Sequence, residues 1–364
     1  MWKRILGVTA LVLVVGFAGL ELNLRLFGGP IEIFNPLNGF HEGDPVLGWR
    51  GQKNITRRFH TPEFDVLVQH DAEGFRRPDP ARPEGADRSV LILGDSLGWG
   101  WGVGQGLLFS DHLQRALGDE FAIYNRSVNA YATGQELLLL QRELAARPHD
   151  EVLVIVSGTD IGDNADDKKH RPAFDLVDGE LHTRNQPPPG ALKNPVERFI
   201  DDHSHATNFL SWQLAALKRW WQSSVQPALV GDDSPEEGPD NPDEIPVLEH
   251  ASPDGAIVLP GYGVTKRLLS EIAATCREAG AELTLAYATT NLHIRHSPFE
   301  TGFRDLVAEV AAREGVDFID LNETLEPLML AGEKPLIPRD GHWSARGHRA
   351  IANVLIEERV FALP

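Results

Sequence analysis

The sequence has almost no cysteine, and this scarcity excludes several classes of protein. Cys276 is the single cysteine among 364 residues, so neither an internal disulfide nor a Cys-x-x-Cys metal or redox site can form. The glycines between 94 and 106 never fall into a Gly-x-Gly-x-x-Gly register, and no Gly-Lys-Ser/Thr follows them. Nucleotide binding therefore has no support from motifs.

Positive charge is also scarce. The chain carries 34 Lys and Arg against 53 Asp and Glu, which gives a formal net charge of −19. Because such a chain repels phosphates, its charge argues against a general nucleic-acid binder. Part of the acidity lies in the acidic, proline-rich stretch at 231–246, which is predicted to be a disordered surface loop.

The first 27 residues predict a membrane anchor. Lys3 and Arg4 precede an uncharged, mostly apolar run of sixteen residues from Ile5 to Leu20. A helix of that length reaches about 24 Å, short of a hydrocarbon core of ~30 Å, but it can continue to Phe27. Because flanking basic residues stay in the cytoplasm, residues 1–27 predict a single-pass anchor with a cytoplasmic N-terminus and a periplasmic or extracellular chain beyond it.

Two other interpretations of this segment stay open. Gly16 and Ala18 form a weak small-x-small site, so a cleaved signal peptide is the main competitor. A buried core helix is the third interpretation, and the terminal position with its basic flank argues against it.

The rest of the chain divides into a lead-in segment at 28–88 and a main domain at 89–364. The lead-in is rich in Gly, Pro, Arg and Asp and is expected to pack on the main domain. From residue 90 apolar strands alternate with amphipathic helices, which predicts a parallel sheet of about five strands covered on both faces. The strands are predicted at 90–93, 121–128, 151–158, 282–286 and 316–321, and the helices at 108–117, 134–147, 264–279, 303–313 and from 345.

Residues 162–260 interrupt this alternation and are interpreted as an insertion. A hairpin is predicted around Asp178 and Gly179, followed by a long helix at 196–221. The run at 201–205 has the composition of a metal site, but it lacks supporting cysteines or a His-Glu-x-x-His motif, so a solvated helix face is favoured.

A candidate site begins where the first strand of the main domain ends. The strand runs directly into Gly94, Asp95 and Ser96, and ligands of parallel sheets bind beyond the carboxyl ends of the strands. His342 precedes the last helix, with Asp340 two residues before it. A serine hydroxyl needs a base to become a nucleophile, and a carboxylate orients that base. Gly94 and Asp95 are expected to shape the turn rather than to react. The alternative is an ordinary strand-to-helix turn with no catalytic serine.

Four stretches of the sequence resemble one known family. They are LGDSLGWGWGV, YNRSVNAYATGQE, VIVSGTDIGDN and DGHWSARGHRAIA, and they resemble the SGNH/GDSL-type hydrolases, in particular the bacterial branch with one N-terminal membrane helix. The similarity covers roughly residues 44–360. It implies a three-layer α/β/α sandwich with a flavodoxin-like sheet.

The resemblance assigns a role to each matching residue. Ser96 would be the nucleophile, His342 the general base and Asp340 the acid that orients it. The N–H groups of Ser96 and Ala130 would form an oxyanion hole together with Thr159. The family more often has a glycine where Ala130 stands, an asparagine where Thr159 stands, and Asp-x-x-His where this chain has Asp-Gly-His.

Three functions fit these residues. The first is a membrane-anchored serine ester hydrolase that needs no metal or organic cofactor and acts on an ester-bearing small molecule, lipid or glycan. The second is an O-acyltransferase that moves acetyl groups onto an exported polysaccharide, and the third is a binding or assembly module with a weakened oxyanion hole. Trp99 and Trp101 could line a pocket or simply pack, and His348 is expected to pack or cap in the last helix.

Overall fold

A computed structural model gives the architecture of the protein. The structure describes residues 2–27, 32–33, 39–61, 63–165, 171–184, 204–207, 209–210, 250–251, 257–258, 261–289, 292, 295–358 and 361. The predicted acidic loop and most of the predicted helix at 196–221 lie outside these residues.

The N-terminal part consists of one long helix and two small β-elements. Helix α1 contains a 21-residue stretch, Gly7–Phe27, that is long and apolar enough to cross a membrane and is not buried by the rest of the described chain. The lead-in forms a three-stranded sheet in the order β1-β4-β5 and a separate hairpin of β2 and β3. The elements are α1 (Trp2–Phe27), β1 (Glu32–Ile33), β2 (His41–Asp44), β3 (Gly48–Gly51), β4 (Thr56–His60) and β5 (Asp65–Gln69).

The main part alternates strands and helices. In chain order its elements are β6 (Arg88–Leu93), α2 (Ser96–Trp99), α3 (Phe109–Leu117), a 3₁₀ turn (Gly118–Glu120), β7 (Phe121–Asn125), α4 (Thr133–Ala146), β8 (Glu151–Ser157), α5 (Asp160–Ala165), β9 (Ala173–Val177), β10 (Glu180–Arg184), β11 (His250–Ala251), β12 (Ile257–Val258), α6 (Tyr262–Ala279), β13 (Glu282–Ala288), α7 (Pro298–Glu314), β14 (Asp317–Asp320), α8 (Asn322–Leu330) and α9 (Ala345–Glu357). The β9–β10 and β11–β12 pairs are antiparallel.

The central sheet has five parallel strands in the order β14-β13-β8-β6-β7. Strand β8 is buried along its whole length, because its side chains alternate between two apolar cores. Val152, Val154 and Val156 pack with helices α4, α6 and α7, whereas Leu153 and Ile155 pack with α3, α8 and α9. Fully burying each such side chain stabilises the fold by about 1.5–3 kcal/mol. The predicted α/β/α sandwich with a five-stranded parallel sheet is confirmed.

The elements differ from the predictions mainly at their ends. Helix α7 begins at Pro298 rather than 303, because the Ser297 side chain accepts a hydrogen bond from the Glu300 N–H and proline suits the first turn. Helix α8 was not predicted. Pro327 inside it disfavours a helix locally, but the buried Leu325 places the segment against the core.

The strand order also determines where a crevice opens. Strand β6 lies between β7 and β8, and the chain leaves β6 towards one neighbour and later returns on the other side. Such a reversal leaves a crevice beyond the carboxyl ends of the two adjacent strands, where open α/β sheets bind their ligands. Residues 94–96 follow β6 at this edge.

Candidate active site

The turn after β6 presents Ser96 as the first residue of the short helix α2. Asp95 caps that helix: its buried carboxylate accepts a hydrogen bond from the Leu97 N–H at 2.8 Å. Gly94 leaves little space, since a Cβ there would lie 3.1 Å from the Ile155 Cβ atom. At Gly98 there is no space for a side chain, since a Cβ there would lie 2.2 Å from the Ser127 Oγ atom. The backbone on either side of Ser96 is therefore packed closely against β8 and the loop after β7.

Ser96, His342 and Asp340 form a continuous chain of hydrogen bonds. The Ser96 Oγ atom lies 2.7 Å from His342 Nε2, and His342 Nδ1 lies 2.8 Å from Asp340 Oδ1. An ionised carboxylate only accepts hydrogen bonds, so Nδ1 carries the imidazole proton and Nε2 is left to accept one from the serine hydroxyl. Ser96 and His342 are 246 residues apart in sequence.

With only one residue between them, the Asp340 carboxylate can reach the His342 ring because the backbone turns at this point. Arg339 and Gly341 both have positive φ angles, of 65° and 94°. The turn directs the Asp340 carboxylate back towards residue 342, where its Oδ1 atom accepts hydrogen bonds from both the backbone N–H (3.1 Å) and the ring of His342. The local bond to the backbone N–H two residues ahead is the Asx-turn pattern.

Asp340 is a carboxylate at neutral pH. Burial by itself would raise the pKa of Asp340, but hydrogen bonds from His342 and from the Trp101 indole outweigh burial and hold the pKa below its ordinary value. A negative charge therefore faces the imidazole. This is the arrangement that stabilises an imidazolium when the base takes up a proton.

Ala130 and Thr159 follow the strands on either side of β6. Ala130 has a φ of +61°, so an alanine here adopts the left-handed conformation that usually selects glycine. Within the described residues, neither its N–H nor that of Ser96 donates a hydrogen bond. Both donors are therefore available to a ligand.

The Thr159 hydroxyl, by contrast, is already engaged. Its Oγ1 atom lies 2.8 Å from Ser157 Oγ, and Ser157 in turn donates to Asp95 Oδ2 at 3.1 Å. An oxyanion could recruit the Thr159 hydroxyl only by breaking the bond to Ser157.

Three buried carboxyl groups lie behind the turn: Asp95, Asp160 and Glu136. Burial, followed by repulsion from the other acids, raises the pKa values of Asp160 and Glu136 well above their usual range, and burial also raises the pKa of Asp95. Thr133 donates a hydrogen bond to Asp160 at 2.9 Å. Sequence patterns did not single out Asp160 or Glu136, because neither stands out from the helix that contains it.

The remaining candidate residues are placed as follows. Trp99 is buried against Phe40, whereas Trp101 lies against the Asp340–His342 pair. His348 is buried and accepts a hydrogen bond from the Phe109 N–H at 3.1 Å. Burial lowers the pKa of His348 to about 3, so it is a neutral packing residue.

The described part of the chain contains no cluster of three or more His, Cys, Asp or Glu side chains that could hold a metal ion. Residues 201–203 of the metal-like run lie outside that part.

Comparison with known proteins identifies the family. A family model described as the GDSL-like lipase/acylhydrolase family matches residues 92–350, whereas no protein with a curated description matches the chain.

Three solved structures that resemble the chain are similar to it at low sequence identity. TesA is 14% identical, with a TM-score of 0.42, over 75% of this chain and 98% of that one. The psychrotrophic esterase EstA from Pseudoalteromonas sp. is 14% identical, with a TM-score of 0.39, over 74% and 96%. A catalytic mutant of Axe2, an acetylxylan esterase from Geobacillus stearothermophilus, is 11% identical, with a TM-score of 0.40, over 76% and 95%.

The matched region includes Ser96 and His342 and spans well over half of the chain. This match confirms the family that the four sequence blocks resemble. The chain therefore belongs to the GDSL-like lipase/acylhydrolase family.

Proposed function

We propose that the protein is a serine ester hydrolase in which Ser96 is the nucleophile, His342 the general base and Asp340 the orienting acid. The observation that carries this proposal is the hydrogen-bond chain from Ser96 Oγ through the imidazole to the Asp340 carboxylate, with separations of 2.7 and 2.8 Å. A hydroxyl in such a chain can lose its proton as it attacks.

The first half of the reaction forms an acyl-enzyme. Ser96 Oγ attacks the ester carbonyl carbon while its proton moves to His342 Nε2. The tetrahedral intermediate then collapses, the bond to the leaving alcohol breaks, and His342 returns the proton to that alcohol. Asp340 stays ionised and stabilises the imidazolium in between. In the second half His342 takes a proton from a water molecule that attacks the acyl carbon, the bond to Ser96 Oγ breaks, and His342 returns the proton to that oxygen. These steps need no metal or organic cofactor.

The developing oxyanion would be held mainly by backbone donors. The N–H groups of Ser96 and Ala130 are available, and the left-handed backbone of Ala130 supplies the conformation of the glycine that it replaces. Thr159 is the third and weakest donor in this proposal, because its hydroxyl must first leave Ser157.

We also propose that α1 is retained as a single-pass anchor, with Lys3 and Arg4 in the cytoplasm and the enzyme on the outer side. The exposed apolar stretch Gly7–Phe27 supports an anchor. Glu21 near its end accepts hydrogen bonds from the Ala206 N–H at 2.7 Å and from Ser204 Oγ at 3.1 Å. These contacts join the end of the helix to residues 204–206 of the insertion, and we take them as support for retention over cleavage. The substrate would be an ester-bearing small molecule, lipid or glycan.

The assembled triad favours an enzyme over a binding module. An O-acyltransferase would form the same acyl-enzyme and pass the acyl group to a sugar hydroxyl instead of water.

The full-length chain in detergent micelles tests the proposal. We expect it to hydrolyse p-nitrophenyl acetate and to be labelled at Ser96 by a fluorophosphonate. Ser96→Ala and His342→Ala should reduce hydrolysis to background while remaining folded. Ser89→Ala, at the opposite end of β6, is the matched control and should retain both activities. Equal rates for wild type and folded Ser96→Ala would refute the proposal, and a product that forms only with an added glycan acceptor would indicate transfer.

A further inference from the structure

Trp101 touches all three members of the proposed triad, and no motif assigns it a role. We propose that Trp101 is a positioning residue that fixes the nucleophile, the base and the acid in their places relative to one another. This inference rests on the proposed function. Its backbone, its ring face and its indole N–H each make a different contact.

The backbone of Trp101 is tied to the nucleophile. The N–H groups of Gly100 and Trp101 both donate to the carbonyl oxygen of Ser96, each at 3.1 Å. Gly100 ends helix α2 with a φ of +84°, which a residue with a side chain rarely adopts. The chain thus reverses immediately after α2 and brings the Trp101 ring back beside the helix that carries Ser96.

The ring of Trp101 stacks on the base. The centroids of the Trp101 and His342 rings are 5.0 Å apart, and their planes differ by 19°. The indole face fixes the plane of the imidazole, and tryptophan is the side chain whose face attracts a cation most strongly. Because the imidazolium exists only after Ser96 has given up its proton, this attraction favours the transition state over the bound substrate.

The indole N–H holds the acid. Trp101 Nε1 donates to Asp340 Oδ2 at 2.9 Å, and this leaves Oδ1 for the two bonds to His342. A hydrogen bond to an ionised group is stronger than one between neutral groups and fixes the carboxylate plane. Trp101 therefore prevents Asp340 from rotating away from the imidazole.

Residues from the lead-in segment hold the tryptophan itself. Phe59 of β4 contacts the Trp101 ring edge to face with centroids 4.9 Å apart, and Phe64, between β4 and β5, lies at 6.3 Å. A Cβ on Gly102 would lie 2.8 Å from the Phe64 ring, so the loop and the phenylalanine are in close contact. Through Trp101, the aromatic residues of the lead-in support the triad.

Two substitutions in the full-length protein separate the contacts of Trp101. Trp101→Phe keeps a ring and removes the N–H, and we expect a 10- to 100-fold lower kcat, the order expected for a lost bond to a charged group, with an unchanged KM. Trp101→Leu also removes the stacked ring and should lower kcat further. Trp99→Phe is the matched control, since its ring packs on Phe40 and Arg76, and it should retain the wild-type kcat.

Two further readouts report the triad directly. The rate at which a fluorophosphonate modifies Ser96 should fall by the same factor as kcat. The low-field proton resonance of His342 Nδ1–H should broaden or shift in Trp101→Phe and stay unchanged in Trp99→Phe. If Trp101→Phe fails to fold, Phe64→Leu loosens the ring without removing it and should lower kcat about 2- to 5-fold, because mispositioning costs rate.

The outcomes distinguish this inference from the proposed function. Wild type that does not label at Ser96 overturns both. The positioning role alone is overturned if wild type is labelled and folded Trp101→Phe keeps the wild-type kcat and labelling rate. Where Phe64→Leu replaces that variant, the same result in Phe64→Leu overturns it. The positioning role would also be overturned if Trp101→Phe raised the KM by about 10- to 100-fold and left kcat unchanged, because the tryptophan would then be binding substrate.

Discussion

Replacing Asp340 with asparagine removes the negative charge behind the base and leaves the shape of the side chain unchanged. The carboxylate accepts three hydrogen bonds: Oδ1 accepts from the His342 ring and backbone, and Oδ2 accepts from the Trp101 indole. An asparagine can keep its oxygen towards His342 only by turning its NH₂ group towards the indole N–H. This orientation loses one hydrogen bond, whereas the opposite orientation loses two.

The size of the effect follows from the lost charge. Two unit charges about 4 Å apart near a protein surface interact with about 4 kcal/mol, and each 1.36 kcal/mol of barrier is a tenfold change in rate. We therefore expect Asp340→Asn to lower kcat by about 10³-fold. The KM should change little, because Asp340 lies behind His342 rather than at the serine.

The assay is hydrolysis of p-nitrophenyl acetate by the full-length chain, with circular dichroism to verify folding. Asp320→Asn is the control, since Asp320 also ends a parallel strand but lies on β14 at the edge of the sheet. A kcat within tenfold of wild type in folded Asp340→Asn would refute the proposed role of the carboxylate. A double variant with Trp101→Phe should lose less than the product of the two single effects, because the phenylalanine removes the N–H that faces the asparagine NH₂.

Three further predictions concern the surroundings of the triad. Ala130→Gly should retain kcat and change the free energy of unfolding by less than about 1 kcal/mol, because relief of left-handed strain offsets the flexibility of glycine; a tenfold loss of kcat would show that the methyl group matters. Thr159→Val should lower kcat less than tenfold, since the hydroxyl is bonded to Ser157, whereas a loss of about 10²–10³ would make it a full oxyanion donor. Glu136 has a raised pKa in the folded state, so its contribution to stability is complete below its unfolded pKa of about 4.5 and is lost as pH rises towards the folded value. Glu136→Gln should therefore become more stable relative to wild type between pH 5 and pH 8 in urea unfolding, and a constant difference would contradict this.

The environment of the nucleophile could be predicted only in part. The Gly-Asp-Ser turn follows an apolar strand, and a strand's carboxyl end is a position that sequence patterns reveal. The Asp-Gly-His run lies before a strong helix and could be placed at the same edge. Neither pattern shows that Thr159 is bonded to Ser157, because a hydroxyl pair leaves no periodic signal in sequence.

The sequence by itself determined the layered α/β architecture and the two ends of the candidate triad. Strands that are apolar throughout alternate with helices that have one apolar face, and this alternation is satisfied when helices cover both faces of a parallel sheet. The sequence did not determine which aromatic residue supports the site. Trp99 and Trp101 are only two positions apart in sequence, yet only the tertiary structure stacks Trp101 on a histidine 241 residues further along the chain. Such contacts depend on the relative placement of distant elements, and that placement is decided by packing of the whole core rather than by any local pattern.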